Sequence, residues 1–292
     1  MPAAEVEVTA DLVRDLLGDQ HPDLAGLSIV ELANGWDNVM FRLGDELIVR
    51  LPRRAAAAAL IEHEQRVLPE LSLLLPLPIP APVRVGRAAL GYPWSWSVNR
   101  WLPGAVAATT PFIDAPTEAE RLGRFLAALH TPAPTHAPRN PYRGHFIGDN
   151  SPVFRERAER LRGGGAFDVE RLVRRWEELV AVDPFAGAPR WIHGDLHALN
   201  VLVADGSISA VIDFGDVCAG DPATDLSAAW GMFDGEAIGL VRRSAGDVDD
   251  ATWQRAEAWA LHFAVMYLTE ASDNPTMRAL GTAMLGRLIP AE

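Results

Sequence analysis

The chain contains no lysine, so all 26 of its basic residues are arginine. Reactions that pass through a Schiff base on the protein, and phosphate loops built around a lysine, need an ε-amino group and are therefore excluded. Cys218 is the single cysteine, which rules out a disulfide within the chain. Whatever binds phosphate or supports the fold must use other residue types.

Long apolar runs are also missing, since no stretch of the sequence approaches 18 consecutive apolar residues. The N-terminus has no basic start followed by an apolar segment. We therefore expect a cytoplasmic protein without a membrane partner.

Basic residues are outnumbered, 26 against 39 acidic ones, which gives a formal net charge of −13. This balance makes nucleic acid an unfavourable partner. An acidic cleft would concentrate a cationic substrate, although acidity also serves plain solubility, so both explanations stay open. Composition does not decide between a monomer and a homodimer.

The N-terminal third has the pattern of a small antiparallel sheet with one long helix. Gly44-Asp45 separates two apolar runs and predicts a hairpin. Apolar residues recur at helical spacing over 55–75, and the proline-rich stretch 76–82 then ends the helix. We expect an N-terminal lobe over residues 1–102.

The remaining residues, 103–292, have a mainly helical pattern. Thr117 with Glu120 three residues later predicts a capping box at the start of a helix over 117–130. Residues 131–152 are dense in proline, asparagine and glycine and predict a surface loop. Further helices are predicted over 153–162, 169–182, 223–233, 235–244, 251–271 and 275–289. The fold class is therefore α+β, with a larger, mainly helical C-terminal lobe.

Two short motifs carry most of the chemistry. The first, Trp191-Ile-His-Gly-Asp-Leu-His-Ala-Leu-Asn200, places a carboxylate on a tight turn and a carboxamide five residues later. The second, Val211-Ile-Asp-Phe-Gly215, places another carboxylate after an apolar run. Phosphoryl transfer requires one carboxylate that accepts a proton from a hydroxyl group and a pair of oxygen-bearing side chains that holds magnesium.

These motifs, followed by Gly220-Asp-Pro-Ala-Thr-Asp-Leu226, resemble the aminoglycoside phosphotransferase family of kinase-like, antibiotic-modifying enzymes. The resemblance extends to the N-terminal third through Asn34-Gly-Trp-Asp-Asn38, Val49-Arg-Leu-Pro-Arg53 and Trp96-Ser-Val-Asn-Arg-Trp-Leu-Pro-Gly104. It covers the chain from about residue 28 onward. It implies a bilobal, protein-kinase-like fold whose N-terminal lobe binds nucleotide and ends in a hinge.

The resemblance implies a role for each motif residue. Asp195 would be the catalytic base, with a turn cap as its structural alternative. Asn200 and Asp213 would bind Mg²⁺, which prefers oxygen ligands and takes few of them from protein. His193 would be a packed loop residue, and Asp221 and Asp225 would support the site by bonding nearby backbone.

The nucleotide, ATP or GTP, would be held by the N-terminal lobe. Arg50 stands where the family often has a phosphate-binding lysine, and Glu64 on the following helix is its expected partner. Phosphate binding by Arg53 or Arg54 is the alternative. Gly35 and Asn38 would belong to the phosphate loop, or simply to a hairpin turn. The hinge would consist of Arg100, Trp101 and Leu102, although Trp101 also suits an ordinary core position.

The acceptor side is less specific. Candidate acceptor residues follow the second motif and are acidic or aromatic: Asp216, Trp230, Glu270 and Asp273. For any single one of them, plain packing or a solvated charge is the favoured explanation.

The sequence thus predicts a nucleotide-dependent O-phosphotransferase that acts on a small molecule, with an aminoglycoside or related antibiotic as the first candidate. A metabolic small-molecule kinase acting on an amino alcohol, a sugar or a macrolide-type acceptor is the second. A pseudokinase is the third, because Arg50 replaces lysine and the phosphate loop has a single glycine. The intact Asp195, Asn200 and Asp213 argue against it.

Overall fold

The computed structural model describes residues 3–35, 37–163, 167–271 and 274–290. The chain forms two compact units. The N-terminal unit comprises Met1–Pro103 and Ile212–Gly215, and the C-terminal unit comprises Gly104–Val211 and Asp216–Glu292. Each unit is described separately below.

In the N-terminal unit, five described strands form an antiparallel sheet in the order β1-β2-β3-β5-β4. They are β1 (Ile29–Asn34), β2 (Asn38–Leu43), β3 (Leu47–Pro52), β4 (Pro82–Gly86) and β5 (Trp96–Arg100). The predicted hairpin is present, and Leu43 pairs with Leu47 across its turn. Every second residue of β2 is buried, as expected for a strand with one face in the core.

Two helices pack in the same unit, α1 (Ala10–Gln20) and α2 (Ala55–Leu74). The predicted long helix is confirmed as α2, which tolerates Pro69 near its C-terminal end. Leu16 and Leu17 of α1 join Phe41, Val49 and Trp96 of the sheet in one buried apolar cluster. Gln65 on α2 donates hydrogen bonds to Ser97 Oγ and Trp96 O of β5, which fixes the helix against the sheet.

The C-terminal unit is mainly helical, as predicted. Its described helices are α3 (Ala115–Leu129), α4 (Ser151–Arg162), α5 (Val169–Val180), α6 (Ala223–Leu226), α7 (Ala228–Met232), α8 (Gly235–Ser244), α9 (Asp250–Glu270) and α10 (Pro275–Leu288). A short 3₁₀ helix spans Ile147–Asn150. Helix α9 is buried along most of its length, and α4, α5, α6 and α10 pack around it. None of the helices in the described ranges is both long and apolar enough to cross a membrane.

Short strands complete this unit: β6 (Ala105–Val106), β7 (Arg190–Ile192), β8 (Val201–Ala204), β9 (Ser207–Val211) and β10 (Cys218–Gly220). Strands β6, β8 and β9 form one sheet, and β7 pairs with β10 in another. Asp205 and Gly206 both have positive φ, 51° and 74°, which is the conformation of the tight turn that joins β8 to β9.

Three local predictions were wrong in detail. Helix α3 begins at Ala115 and is capped by Asp114, whose carboxylate accepts a hydrogen bond from Thr117 N at 3.2 Å, so Thr117 is not the cap. The helix predicted over 223–233 is divided into α6 and α7 at Ser227, whose hydroxyl bonds the carbonyl of Thr224 at 2.5 Å. Residues 131–152 are not simply a surface loop, because Ile147 is completely buried.

Candidate active site

The turn that carries Asp195 is held by a buried carboxylate. Strand β7 ends at Ile192, and the next two backbone N–H groups, of His193 and Gly194, donate to the two oxygens of Asp225 at 2.7 and 2.9 Å. Asp225 lies in α6 and is completely buried. The backbone support that the sequence predicted for Asp225 is therefore present.

Gly194 is required by the geometry of this turn. Its φ is +87°, and a Cβ atom at this position would lie 2.5 Å from the carbonyl oxygen of Asp216. A side chain is thus excluded both by conformation and by space. The turn brings the following N–H, that of Asp195, to 3.2 Å from Nδ1 of His193. His193 itself is completely buried, as its expected packing role requires.

The Asp195 carboxylate lies between two cationic or polar side chains. Its Oδ1 is 3.1 Å from Nη2 of Arg143, and its Oδ2 is 3.4 Å from Nε2 of His197. Burial raises the pKa of Asp195, but His197 and then Arg143 outweigh burial and hold the pKa below its usual range. The group is therefore ionised at neutral pH, as a proton acceptor must be. The Asp195 side chain is 30% exposed to solvent, so a substrate can reach it.

Asn200 is tied to the same turn. Its backbone N–H donates to His197 O at 2.8 Å, and its side-chain Nδ2 donates to Asp195 O at 2.9 Å. Because the amide nitrogen is committed to this bond, Oδ1 is the atom chemically suited to a cation. The described residues hold no group of three or more His, Cys, Asp or Glu side chains that could bind a metal by themselves. Magnesium needs only one or two protein oxygens when phosphates and water supply the rest.

Asp216 belongs to the Asp195 cluster as well. Its Oδ1 accepts a hydrogen bond from Asn140 Nδ2 at 2.7 Å, and its Oδ2 lies 4.0 Å from Nε of Arg143. Burial raises the pKa of Asp216, and the charge of Asp195 acts in the same direction, while Arg143 opposes both.

Asp221 anchors the segment that follows. Its Oδ1 accepts a hydrogen bond from Ala223 N at the start of α6, at 3.0 Å, and its Oδ2 lies 2.6 Å from Nε of Arg255 on α9. Both side chains of the ion pair are 3% exposed. The sequence predicted that Asp221 bonds the backbone at the start of α6, but it did not predict the ion pair with Arg255.

In the N-terminal unit, the expected pair of Arg50 and Glu64 is present. Arg50 on β3 donates from Nη1 to Glu64 Oε2 at 2.7 Å, and both residues are buried. Burial alone would lower the pKa of the Arg50 guanidinium, but the charges of Glu64 and Asp213 raise it above its usual value. The cation is thus fixed on a strand and permanently charged.

Asp213 lies beside this pair, with Oδ1 3.7 Å from Nη2 of Arg50. Its side chain is 58% exposed, and its φ is +63°, a conformation that non-glycine residues rarely adopt. Such a strained backbone is common where a side chain must be aimed at a ligand.

The remaining predicted nucleotide residues lie at two turns of the N-terminal unit. Gly35 N donates to Asn38 O at 2.9 Å, and Arg53 Nη1 donates to Gly35 O at 3.0 Å. Trp36, between them, lies outside the described residues. The guanidinium of Arg42 covers the ring of Trp101 at 4.0 Å.

At the predicted hinge, Arg100 is exposed at the end of β5, and Trp101 and Leu102 are half-buried. Trp101 N donates to Glu46 O at 2.7 Å. Trp101 is therefore not an ordinary core residue.

Two of the other predicted acceptor residues, Trp230 and Glu270, are not part of the Asp195 cluster. Trp230 lines a cavity of about 560 Å³ together with Trp253, near the N-terminal end of α9. Phe263, which contacts Arg143, is ten residues further along that helix, or about 15 Å by the helical rise. Glu270 is paired with Arg157 and Arg160 of α4. Asp273 lies outside the described residues.

Arg143 is the residue of this site that the sequence did not reveal. It lies in the segment between α3 and α4, 52 positions before Asp195, and no motif or periodicity includes it. The turn-forming residues around it, Asn140 and Gly144, indicate a defined local conformation but not its target.

Comparisons with known proteins identify the family of the chain. A family model described as "Phosphotransferase enzyme family" (APH) matches residues 28–259. Viomycin phosphotransferase of Streptomyces vinaceus is 30% identical over 155 residues, which is 51% of this chain and 50% of the relative. The match thus spans about half the length of that curated relative.

Among solved structures, the GDP and kanamycin complex of APH(2")-IIIa has a TM-score of 0.69 at 20% identity and covers 94% of this chain and 97% of its own. Macrolide 2'-phosphotransferase MphH from Brachybacterium faecium has a TM-score of 0.59 at 21% identity and covers 97% and 98%. These likenesses establish the kinase-like fold.

Proposed function

The chain belongs to the phosphotransferase enzyme family, and we propose that it transfers the γ-phosphate of ATP or GTP to a hydroxyl group of a small molecule, in the first place an antibiotic. The observation that carries this proposal is the geometry of Asp195. It is an ionised, partly exposed carboxylate on a turn that Asp225 holds by two hydrogen bonds.

In the proposed reaction, Asp195 orients the acceptor hydroxyl and accepts its proton while the oxygen attacks the γ-phosphorus. The bond between the γ-phosphorus and the bridging oxygen breaks, and the nucleoside diphosphate leaves. Arg50, held by Glu64 at 2.7 Å, binds the α- and β-phosphates. A buried arginine fork suits phosphate because it offers several donors in one plane.

Asn200 and Asp213 are the proposed magnesium ligands. The carboxamide oxygen of Asn200 and the exposed carboxylate of Asp213 are both hard oxygen donors of the kind that Mg²⁺ prefers. The ion would neutralise negative charge on the nucleotide phosphates.

For the remaining nucleotide contacts, we propose the turn at Gly35 and Asn38 for the phosphates and the segment of Arg100, Trp101 and Leu102 for the base. These segments match the order of the family's phosphate loop and hinge. Acceptor binding by Asp216 is supported by its place in the Asp195 cluster. Trp230 and Glu270 have weaker support because they lie in other contacts.

The proposed acceptor is cationic. Net charge is −13, and the carboxylates of Asp195 and Asp216 share a single arginine. Viomycin, kanamycin and macrolides are named for relatives of this chain and form the first test set. We place the enzyme in the cytoplasm, where nucleoside triphosphates are available, as a monomer or a homodimer.

A metabolic kinase is the second candidate, because the family match fixes the transfer chemistry and not the acceptor. Purified protein would be incubated with ATP or GTP, Mg²⁺ and a panel of antibiotics, amino alcohols and sugars. The measurements are acceptor-dependent release of nucleoside diphosphate and the mass of the product.

We expect at least one cationic antibiotic to gain a phosphoryl group, and Asp195→Asn to lower the rate of this transfer by about 100-fold or more. Nucleotide binding without transfer to any member of a broad panel would favour a pseudokinase instead.

A further inference from the structure

Arg143 lies outside the motifs that define the site, yet its side chain makes direct contact with the proposed base. Its Nη2 is 3.1 Å from Oδ1 of Asp195, and its side chain is only 17% exposed. An arginine this far buried is expected to have a specific partner, since an unpaired guanidinium would be costly to bury.

The backbone that carries Arg143 is fastened to the segment after the second motif. Pro138 O accepts a hydrogen bond from Ala219 N at 2.8 Å, and Gly144 O accepts one from Asp221 N at 2.9 Å. Gly144 N donates to Thr224 Oγ1 at 3.2 Å. Because both ends of residues 138–144 are bonded, Arg143 has a fixed origin rather than the freedom of a surface loop.

Gly144 makes this close approach possible. Its φ is +68°, and a Cβ atom there would lie 2.7 Å from the Cα of Gly220. Two backbones therefore meet at a distance that only glycine permits. The segment carrying Arg143 is packed directly against the strand β10 that pairs with β7, just before the Asp195 turn.

The guanidinium group is held on further sides. Its Nε lies 4.0 Å from Oδ2 of Asp216, whose other oxygen is bound by Asn140. Its Cζ is 5.3 Å from the ring centroid of Phe263 on α9, within the range of a cation–π contact. Nη1 donates a hydrogen bond to Tyr142 O at 3.3 Å. These contacts restrict the guanidinium, and so the direction from which it meets Asp195.

We propose that Arg143 is a positioning residue for phosphoryl transfer: it holds Oδ1 of Asp195 while Nε2 of His197 lies 3.4 Å from Oδ2, so that the carboxylate is oriented to receive the acceptor's proton. This inference rests on the proposed function. A carboxylate with one oxygen tied to a rigid donor has lost most of its rotational freedom before the acceptor binds. Such preorganisation lowers the barrier of the chemical step rather than the energy of substrate binding.

The proposal predicts that Arg143 affects kcat and the KM for the acceptor differently. A guanidinium next to a base weakens its affinity for a proton, so the gain from Arg143 must lie in orientation. Removing the cation also makes the summed charge around Asp195 and Asp216 more negative. Binding of a cationic acceptor would then be retained or improved. Loss of Arg143 should therefore lower kcat while the KM for such an acceptor stays constant or falls.

The test uses Arg143→Met and Arg143→Lys in the full chain, with the best acceptor from the panel as the probe. Methionine keeps an unbranched, flexible stem and removes the charge, and lysine restores a charge without the planar fork. Arg139→Met is the matched control, because Arg139 is exposed on the same segment. The measurements are kcat, KM for the acceptor, Kd for the nucleotide and the thermal midpoint.

We expect kcat to fall about 100-fold in Arg143→Met, the loss that a small misplacement of a reacting group causes. Arg143→Lys should recover part of it, and Arg139→Met should match the wild type. Nucleotide Kd should remain within about threefold. In an Asp195→Asn background, Arg143→Met should lower the residual rate no further, because residues that act as one unit are not additive.

A wild-type kcat in Arg143→Met would overturn the inference while leaving the proposed function intact. An equal loss of rate in the Asp195→Asn background, or parallel losses of nucleotide affinity and thermal midpoint, would also overturn it by assigning Arg143 a structural role. Absence of transfer by the wild type itself would instead overturn the proposed function, and this inference with it.

Discussion

The guanidinium of Arg255 binds the carboxylate of Asp221 at 2.6 Å, and each side chain is 97% buried. Arg255 also donates to Asp183 O and to Thr252 Oγ1, so its donors are used on several sides. The pair joins α9 to the residues between β10 and α6, directly before the helix whose Asp225 holds the Asp195 turn.

Breaking this pair should cost stability. We expect Arg255→Met to lower the free energy of unfolding by about 3–5 kcal/mol, because it leaves a buried carboxylate without its cation. Denaturant unfolding measures the change, with the exposed Arg243→Met as control. Asp221→Asn combined with Arg255→Met should be less destabilised than the sum of the single variants. A loss below about 1 kcal/mol in Arg255→Met would mean that the pair contributes no more than a surface contact.

Phosphate binding by Arg50 is tested by a short series. Arg50→Ala should lose several kcal/mol of transition-state stabilisation, since truncating a buried, hydrogen-bonded charge removes both contact and partner. Arg50→Lys should retain substantial activity and Glu64→Ala should lie between them. The values of kcat/KM for nucleotide decide the order. Near-wild-type activity in Arg50→Ala would transfer the phosphate role to Arg53 or Arg54.

Alanine variants of Asp213 and Asp195 distinguish metal binding from base catalysis. Asp213→Ala should weaken binding of the magnesium–nucleotide complex, whereas Asp195→Ala should leave nucleotide affinity nearly unchanged and remove transfer. Calorimetry of nucleotide binding with and without Mg²⁺ provides the measurement. The metal assignment fails if wild-type binding shows no dependence on Mg²⁺.

The charge of the acceptor can be tested by measuring its KM at different salt concentrations. If a cation is drawn to Asp195 and Asp216, its KM should rise as salt increases, because the Debye length shortens to about 8 Å at physiological ionic strength. Steady-state kinetics at constant nucleotide saturation measure the effect. A flat response, or a best acceptor that is neutral or anionic, would contradict the cationic acceptor.

The buried His262 makes stability depend on pH. Burial lowers its pKa from 6.5 to about 3, and the nearby charges of Arg157, Arg143 and His145 act in the same direction. The unfolded chain therefore takes up a proton at a higher pH than the folded one. This histidine's contribution to stability is intact above about pH 6.5 and falls by about 1.4 kcal/mol per pH unit as the pH drops toward 3.

The matched variant is His262→Gln, which keeps polarity and cannot be protonated. Unfolding free energies at about pH 7, 6 and 5 should show a steeper decline for the wild type than for the variant. Parallel declines would show that His262 is not the group responsible.

Local sequence patterns predicted the elements that depend on local chemistry. The long helix α2 and the hairpin after β2 follow from apolar spacing and turn residues. The backbone bonds of Asp225 span 31 and 32 positions and were expected from the family resemblance rather than from a local pattern. The cap of α3 was misplaced because Asp114 and Thr117 are both good capping residues, and the earlier one begins the helix.

Contacts between distant positions could not be predicted in this way. Arg143 reaches Asp195 across 52 positions, and Glu270 meets Arg160 across 110. Neither helical nor strand periodicity carries information about such pairs, because they depend on how whole elements pack. Of the two side chains that lower the pKa of Asp195, His197 lies in the motif itself, whereas Arg143 could not be predicted from the sequence.

Helix α9 has a consequence for how this enzyme can change its preference for acceptors. The helix carries Arg255 against Asp221, Phe263 beneath Arg143 and Tyr267 against His197. It is also buried from Thr252 to Tyr267 apart from a few positions. Laboratory evolution toward a new acceptor should therefore leave this helix almost unaltered and accumulate its substitutions at exposed positions of the other helices, because the buried side chains of α9 support residues that every acceptor would share.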